Sequence, residues 1–434
     1  MIPAIALFAV TYVLMLVFSK YRPYIALVSG LVFIISGMLP VGSILGELDF
    51  NVLLMIAGTM GLVALFIESK MPALLADLVM EKVPNIMMAA VSLSLFSGVI
   101  SAFVDNVATV LMVAPVALEI CKKLKTNPVP FIIGIAVSSN LQGAATLVGD
   151  TTAIMLGSAL DMSFMDFFWY KGKPSIFFAV ELGAVLSAVI LAFIFRKEKS
   201  PISNTNERTK VTDFVPTFLL VGAIFLLICV SFAPNSWNLP SEINGLICCA
   251  LLVVGLIYNF IKKKHYTAIT APLKEIDFET LGLLVGLFLM IGGIKHEGVI
   301  DAAAGMLANV GGGNLFLLYT VIVWASVAIS AFIDNIPYVA TMIPVIGGLA
   351  AQMAPAFGVD PVTIGIPLYF GLLSGATLGG NCTPIGASAN ITGIGILRRA
   401  GYEVKNSDFF KIGIPFTFAA IVPAYIYIWL LYGI

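Results

Sequence analysis

The sequence predicts an all-α polytopic membrane protein built from two inverted repeats, each with five membrane spans, one re-entrant hairpin and one broken helix. Composition is the first observation behind this prediction. Of the 434 residues, 60% are hydrophobic and 11% are charged, whereas a soluble domain carries about 25% charged residues. So few charges cannot cover a water-soluble globule of this size. The net charge of -1 gives no indication of a nucleic-acid partner, and the lipid bilayer is the expected surrounding.

Ten apolar segments are the predicted spans, because a helix needs about 20 apolar residues to cross a bilayer. They cover residues 2–18, 24–39, 51–67, 130–160, 175–195, 214–232, 243–261, 279–293, 361–396 and 412–431. Two further apolar stretches, 86–120 and 314–347, are too long for one crossing and carry Asp-Asn near their middle. We predict a re-entrant hairpin in each, since polar backbone at membrane depth is tolerated only inside protein or beside a wet cavity. Two full crossings per stretch would leave every later loop on the same side of the membrane as a hairpin does, so they stay an alternative.

Basic residues orient this layout. Lysine and arginine concentrate in cytoplasmic loops, and 20 of the 23 lie on one predicted face. The other face holds Lys171, Lys173 and Lys295. Both termini are therefore predicted outside, in a multi-pass protein of the cell (inner) membrane whose first apolar run is a retained span.

Repeated motifs are the second observation. Three recur in the same order: Leu-Asp-Phe at 48–50 as Ile-Asp-Phe at 276–278, Ser-Ala-Phe-Val-Asp-Asn at 101–106 as Ser-Ala-Phe-Ile-Asp-Asn at 330–335, and Gly-x-x-Thr-x-x-Gly at 143–149 again at 380–386. An odd number of predicted crossings separates the copies, so the second copy is inverted. The predicted domains are a first repeat at 1–195, a cytoplasmic linker at 196–213 and a second repeat at 214–434.

Interrupted helices are the third observation. The long segments 130–160 and 361–396 contain stretches rich in glycine and polar residues, at 140–152 and 377–390. These stretches predict one broken helix in each repeat. Inverted repeats with broken helices are typical of secondary transporters, which bind substrate near the bilayer midplane.

Acidic residues at the hairpin tips are the main candidates for ion binding. A carboxylate in the middle of a span costs roughly 2.5–3.5 kcal/mol on insertion scales, and Asp105 and Asp334 occupy matching positions. They are predicted to bind a cation or carry a proton. The alternative is that each aspartate only caps the second arm of its hairpin. Asp150 adds a third carboxylate beside the first break, where the second repeat has Ala387.

Neutral oxygen donors complete two predicted ion sites. The first consists of Asp105, Asn106, Asn140, Thr146 and Asp150, and the second of Asp334, Asn335 and Thr383. The predicted substrate-binding residues are Asn106, Thr109, Thr152, Ser330, Asn335, Asn381, Ser388 and Asn390. Na+ or H+ is the expected coupling ion, with no cofactor. Because the tips and breaks contain no Lys, Arg or His, a multiply charged anion would depend on helix dipoles, amides and co-bound cations.

Other function classes have weaker support. The spans contain no histidine and the chain has no phosphate-binding loop, so we expect neither enzymatic catalysis nor direct use of ATP. An ATPase partner subunit stays compatible with the sequence. An ion channel is an alternative, but it would need a continuous polar pore, whereas the polar residues cluster at two positions.

The tip and break motifs resemble those of the ion transporter superfamily. Ser-Ala-Phe-Val-Asp-Asn-Val-Ala-Thr-x5-Pro and Gly-Ala-Ala-Thr-Leu-Val-Gly-Asp are similar to the arsenite-pump, NhaD-type sodium–proton antiporter and pink-eyed-dilution branch, which shares a citrate-transporter-like domain. The resemblance implies a homodimer and elevator-type alternating access. It also implies Na+ or H+ binding at the positions that match the antiporter pattern, which are Asp105, Asn106, Asn140, Asp150, Thr152, Ser330 and Asn335.

The expected function is therefore ion–proton exchange, either Na+/H+ antiport or efflux of arsenite or antimonite. The alternative is a sodium- or proton-coupled permease for citrate or dicarboxylate-type anions. Asp-Asn stands at both tips where the dicarboxylate branch carries Ser-Asn-Thr, which disfavours that alternative. The first break reads Gly-Asp-Thr-Thr-Ala at 149–153, where related proteins often carry Gly-Asp-Pro-Pro-Asn, so the ligands of the first site depart from the pattern.

Overall fold

The computed structural model describes residues 1–198, 200–201 and 208–433. The helices before the linker are α1 (Ile2–Val17), α2 (Arg22–Ile35), α3 (Ile44–Glu47), α4 (Phe50–Glu68), α5 (Met71–Met80), α6 (Ile86–Ser101), α7 (Asn106–Leu124), α8 (Val129–Gly143), α9 (Thr151–Ala159) and α10 (Ile176–Ile194). Those after it are α11 (Val215–Ser231), α12 (Ile243–Lys263), α13 (Thr267–Lys274), α14 (Phe278–His296), α15 (Val299–Gly311), α16 (Leu315–Ser330), α17 (Asn335–Phe357), α18 (Pro361–Gly379), α19 (Ser388–Arg399) and α20 (Asn406–Tyr432). The strands β1 (Trp169–Tyr170) and β2 (Lys173–Pro174) form a short antiparallel ribbon.

Within these ranges, seven helices are long and apolar enough to cross a membrane, or up to nine spans if each of two bent helix pairs counts as one. The seven are α4, α10, α12, α14, α17, α18 and α20. Helices α1 and α2 are shorter, with 16 and 14 residues, and meet at an angle of 116°. The chain is therefore a mostly α-helical, multi-pass membrane protein.

Helix α17 differs from its prediction. The second hairpin was expected to have two short arms ending at residue 347, but α17 has 23 residues and continues to Phe357. The helix continues through Gly347 and Gly348. Both glycines allow side chains of neighbouring helices to pack closely against α17. A Cβ at Gly348 would lie 3.2 Å from the Cβ of Ala304 on α15, and one at Gly347 would lie 3.0 Å from the hydroxyl of Tyr369 on α18.

Matching helices of the two halves pack in matching ways. Helix α2 packs on α14 and α12 packs on α4, while α6 packs on α8 and α16 on α18. Glycines allow the close approach: a Cβ at Gly286 would lie 2.4 Å from the carbonyl carbon of Ala26, and one at Gly58 would lie 2.6 Å from that of Cys248. Small residues bring membrane helices together in this way.

Each broken helix packs against the tip of the hairpin in its own half. Helix α8 ends at Gly143 and α9 begins at Thr151, and the second break separates α18 from α19. A Cβ at Gly149 would lie 2.7 Å from the carbonyl oxygen of Ser101, and one at Gly386 would lie 2.8 Å from that of Ala331. Only glycine fits at such distances, so the backbone of each break packs directly against the backbone of its tip.

The ends of the predicted linker 196–213 lie against α5 and α6. The backbone N–H of Met87 donates to the carbonyl of Glu198 at 2.8 Å. Arg208 forms a two-point ion pair with Glu81, at 2.5 and 2.9 Å, and this hydrogen bonding lowers the pKa of the Glu81 carboxyl. Lys199 and residues 202–207 lie outside the described residues.

Candidate functional site

Asp105 forms the tip of the first hairpin and caps α7. Its Oδ1 accepts hydrogen bonds from the N–H groups of Val107 at 3.0 Å and Ala108 at 3.1 Å. Its Oδ2 has no hydrogen-bond partner among the described residues, and no basic group there lies within ion-pair distance. The capping role weighed from the sequence is therefore present, and it leaves one carboxylate oxygen available to a ligand.

A chain of amides connects the first tip to the second half of the protein. The Nδ2 of Asn106 donates to the Oδ1 of Asn140 at 3.0 Å. The Nδ2 of Asn140 donates in turn to the Oδ1 of Asn381 at 3.1 Å and to the carbonyl of Thr377 at 2.7 Å. All four side chains are buried. Because buried polar groups need partners, this chain fixes the first tip relative to the second break.

Asp150 lies where the two halves meet and is 5% exposed. Its Oδ2 accepts a hydrogen bond from the hydroxyl of Thr152 at 2.9 Å and faces the Nδ2 of Asn335 at 3.5 Å. The hydroxyls of Thr152 and Thr377 are 3.2 Å apart. Residues of the two predicted ion sites are therefore brought together in one cluster, with Asn335 of the second tip beside Asp150 of the first half.

Asp334 forms the second tip and has a basic partner. The Nη1 of Arg22 lies 3.1 Å from the Oδ2 of Asp334. The Oδ1 of Asp334 accepts the N–H of Ile336 at 3.5 Å, a longer capping bond than either made by Asp105. The two tips share a sequence motif but have different electrostatic surroundings.

A cavity of about 160 Å³, called the tip cavity here, reaches this cluster. Its polar lining at the tips consists of Asp105, Asn106, Asn140, Asp150, Thr151, Asn335 and Ser388. Glu275, Asp277 and Thr280 line it further out, and the first two are exposed. The described lining contains no Lys, Arg or His. The cluster is therefore accessible through an acidic opening on the face predicted to be cytoplasmic.

A small cavity of about 10 Å³ lies between Asp105 and Asp150. Thr59, Gly149 and Thr151 also line it. Its size is close to the smallest void that holds one water molecule, about 10–15 Å³. Asp105 and Asp150 therefore line one space that is about the size of a single water molecule.

A cavity on the opposite face, of about 530 Å³, does not reach the cluster. It is lined by Asp49, Ser158 and Lys295 near the surface and by Ala340 and Pro344 of α17 further in. Asp49 caps α4, as Asp277 caps α14, and accepts a hydrogen bond from the hydroxyl of Ser158. Asp105, Asp150 and Asp334 do not line this cavity, so it does not give access to the cluster.

Three predicted ligands donate their hydroxyls to the protein backbone. Thr146 donates to the carbonyl of Ala102 and Thr383 to that of Ala331, so each break is bonded to its tip. Ser330 donates to a carbonyl of α18. None of the three lines the tip cavity. A role for them in binding stays a prediction.

Three further predicted residues are placed differently. Thr109 is buried and its hydroxyl lies 3.4 Å from the carbonyl of Val104. Asn390 donates to two carbonyls of its own break, at 3.0 and 3.1 Å, and its buried Oδ1 has no partner among the described atoms. Ser388 begins α19, is exposed and lines the tip cavity.

No group of three His, Cys, Asp or Glu side chains in the described ranges is placed to hold a metal ion. A cation in the cluster would therefore be bound by a carboxylate together with amide, hydroxyl and backbone oxygens, the ligand types that hard cations prefer.

Sequence reasoning did not assign site roles to Arg22, Thr377 or Asp277. Arg22 was counted only among the basic residues that mark the topology. One signal was available: Arg22 is the first residue of α2, where the helix dipole disfavours a cation. A basic residue at that position indicates an acidic partner elsewhere. Asp277 was noted as part of a repeated motif, without a role.

Comparisons with known proteins agree with this architecture. Residues 12–368 match the CitMHS family, described as citrate transporter. The 46 kDa membrane protein of Mycobacterium leprae is 35% identical over 76% of this chain and 74% of its own length. The P protein of Homo sapiens is 26% identical over 85% of this chain and 52% of its own length.

Solved structures show the same fold at low identity. The Alcanivorax borkumensis YdaH transporter has a TM-score of 0.60 at 13% identity and covers 89% of this chain and 87% of its own. Neisseria gonorrhoeae MtrF has a TM-score of 0.55 at 14% identity, over 97% of this chain and 84% of its own. The protein is thus a secondary membrane transporter that belongs to the CitMHS citrate transporter family of the ion transporter superfamily, as its tip and break motifs indicated.

Proposed function

We propose that the protein exchanges a small cation for protons, with the cation bound between Asp105 and Asp150. The observation that supports the proposal is that Asp105 and Asp150 both line the tip cavity and the small cavity beside it. A carboxylate that gives up a proton when a cation arrives is the simplest exchange site. Na+ is the proposed cation. Proton-coupled efflux of arsenite or antimonite is the other substrate assignment for the same cluster, because a neutral arsenous acid would need only the cluster's hydrogen-bonding groups.

The charge of the tip cavity supports a cation. Asp105, Asp150, Glu275 and Asp277 all line it, and a cleft lined by one sign of charge concentrates ions of the opposite sign. Citrate would meet these carboxylates with no basic residue in the described lining. A permease for citrate or dicarboxylate-type anions, coupled to Na+ or H+, is the second candidate, favoured by the family's description. It would require the anion to enter with a bound cation.

The proposed mechanism is elevator-type alternating access in a homodimer of the inner membrane, with both termini outside. The proposed layout is two inverted repeats with ten spans and two hairpins, and the matching helix packing in the two halves supports the repeats. The contrast between the tip cavity, which reaches the cluster, and the opposite cavity, which does not, supports alternation between two openings.

Purified protein in proteoliposomes with an enclosed pH-sensitive dye tests the proposal. Na+, Li+, arsenite, citrate and succinate are offered in turn. We expect Na+ to drive proton movement in the wild type and not in Asp150→Asn. Glu181→Gln is the matched control, because Glu181 is an acidic residue inside α10 and away from both cavities. Proton movement driven by citrate without any added cation, or unchanged flux in Asp150→Asn, would contradict the proposal.

A further inference from the structure

The second hairpin tip has a counter-charge supplied by the protein itself. The guanidinium of Arg22 and the carboxylate of Asp334 are 3.1 Å apart, with side chains 21% and 17% exposed. Both groups are therefore mostly removed from solvent, where an ion pair is stronger than at the surface. A mobile cation that approaches Asp334 meets a carboxylate that is already paired.

Two further contacts hold this pair in place. The Nε of Arg22 donates to the carbonyl of Met15 at 3.2 Å, across the turn between α1 and α2. The hydroxyl of Tyr12 on α1 donates to the carbonyl of Pro337, three residues after Asp334, at 2.7 Å. Helix α1, through Tyr12, and helix α2, through Arg22, are thus bonded to the second tip and the first turn of α17, and the guanidinium is oriented by its neighbours.

Helix α2 alone does not explain a cation at this position. Arg22 is its first residue, and the positive end of the helix dipole disfavours a basic side chain there. Asp334 offsets that cost. The favourable partner of Arg22 is therefore the hairpin tip and not its own helix.

Among the described residues, the first half shows no equivalent cation beside its tip. Helix α12 packs on α4 as α2 packs on α14, with Cys248 in the place of Ala26. Four residues before Cys248 stands Asn244, which corresponds to Arg22 and is neutral. The Oδ2 of Asp105 has no partner among the described residues, so this tip is free to bind a mobile cation.

We infer that Arg22 is a resident counter-cation for Asp334, so that the protein takes up one exchangeable cation per cycle, at Asp105 and Asp150, instead of two. The inference rests on the proposed function and adds its stoichiometry. Arg22 acts as a positioning and specificity residue, because it occupies the second carboxylate and does not contact the transported ion.

The dependence of proton flux on Na+ concentration tests this inference. The steepness of that dependence cannot exceed the number of coupled sites. We expect a Hill coefficient of about 1 in the wild type and a value approaching about 2 in Arg22→Gln, where Asp334 is released to bind a second cation. Arg22→Lys should behave like the wild type. Lys20→Gln is the matched control, since Lys20 lies in the same turn, is exposed and has no carboxylate partner among the described residues.

If Arg22→Gln folds poorly, the double variant Arg22→Gln with Asp334→Asn still tests the inference. It removes both charges, and we expect a folded protein with a Hill coefficient of about 1. A coefficient of about 1 in folded, active Arg22→Gln would overturn the inference while leaving cation–proton exchange intact. Absence of any cation-coupled flux in the wild type would instead contradict the proposed function itself.

Discussion

The two hairpin tips carry the same Asp-Asn pair, and the protein treats them differently. One carboxylate oxygen of Asp105 accepts hydrogen bonds from its own helix and the other has no partner among the described residues, whereas one oxygen of Asp334 pairs with Arg22. Asp150 stands beside the first break, where the second half has Ala387. The comparison teaches that matching motifs need not mark matching sites. We therefore propose that the first tip is the ion site of this chain and that the second is a neutralised copy.

The largest effect is expected at the first tip. Asp150→Asn, or Asp105→Asn, should reduce Na+-driven proton flux to background, because removing a charged ligand costs about 3 kcal/mol, or about 100-fold in affinity. Flux in proteoliposomes at a Na+ concentration near the wild-type KM measures it. Glu181→Gln should retain wild-type flux, and a similar loss in that variant would show that any carboxylate within a long apolar helix matters equally.

The amide chain is the next most sensitive feature. Asn140→Ala leaves the Nδ2 of Asn106 and the Oδ1 of Asn381 buried without partners, which should lower the free energy of unfolding by about 2–4 kcal/mol. Thermal unfolding in detergent measures the change. Asn309→Ala, at an exposed position on α15, should stay within about 0.5 kcal/mol of wild type. Equal stability of the two variants would contradict the role of the amides in joining the halves.

A smaller effect is expected at the second tip. Asp334→Asn leaves Arg22 without its carboxylate and should lower the free energy of unfolding by about 1–2 kcal/mol. The double variant Asp334→Asn with Arg22→Gln should recover part of that loss, because no unpaired charge remains. If the double variant loses more unfolding free energy than the two single variants lose together, the contrast between the tips is contradicted.

The smallest effect is expected at the mouth of the tip cavity. Asp277→Asn should raise the KM for Na+ by about 2–5-fold at low ionic strength and less at high ionic strength, because salt screens attraction between exposed charges. Asn also caps helices well, so folding should be unaffected. Asp360→Asn is the control: Asp360 caps α18 with a 3.1 Å bond and does not line the cavity. A salt-independent change would contradict electrostatic attraction at the mouth.

The sequence predicted the helical membrane fold and the family, because both depend on local features. Long apolar runs predict spans, and Asp-Asn or Gly-x-x-Thr-x-x-Gly inside such runs predicts an interruption. The cap of α7 by Asp105 was weighed from the same local chemistry. The length of α17 was not predicted, since Gly347 and Gly348 serve packing against other helices and not a break.

Contacts between distant residues could not be predicted from the sequence. Arg22 and Asp334 are 312 positions apart, and nothing in the apolar pattern around either residue specifies the other. The hydrogen bonds from Asn140 to Asn381 likewise join two breaks that had been assigned to separate sites. Helix packing across the two halves determines these pairs, and only the three-dimensional arrangement shows it.

One side-by-side measurement tests the central claim most directly: Na+-driven proton flux in proteoliposomes of Asp105→Asn and of Asp334→Asn combined with Arg22→Gln. The first variant lacks the free carboxylate, and the second lacks only the neutralised pair. We predict background flux in the first and measurable flux with a Hill coefficient of about 1 in the second. Flux retained in Asp105→Asn, or lost equally in both variants, would contradict a single ion site at the first tip.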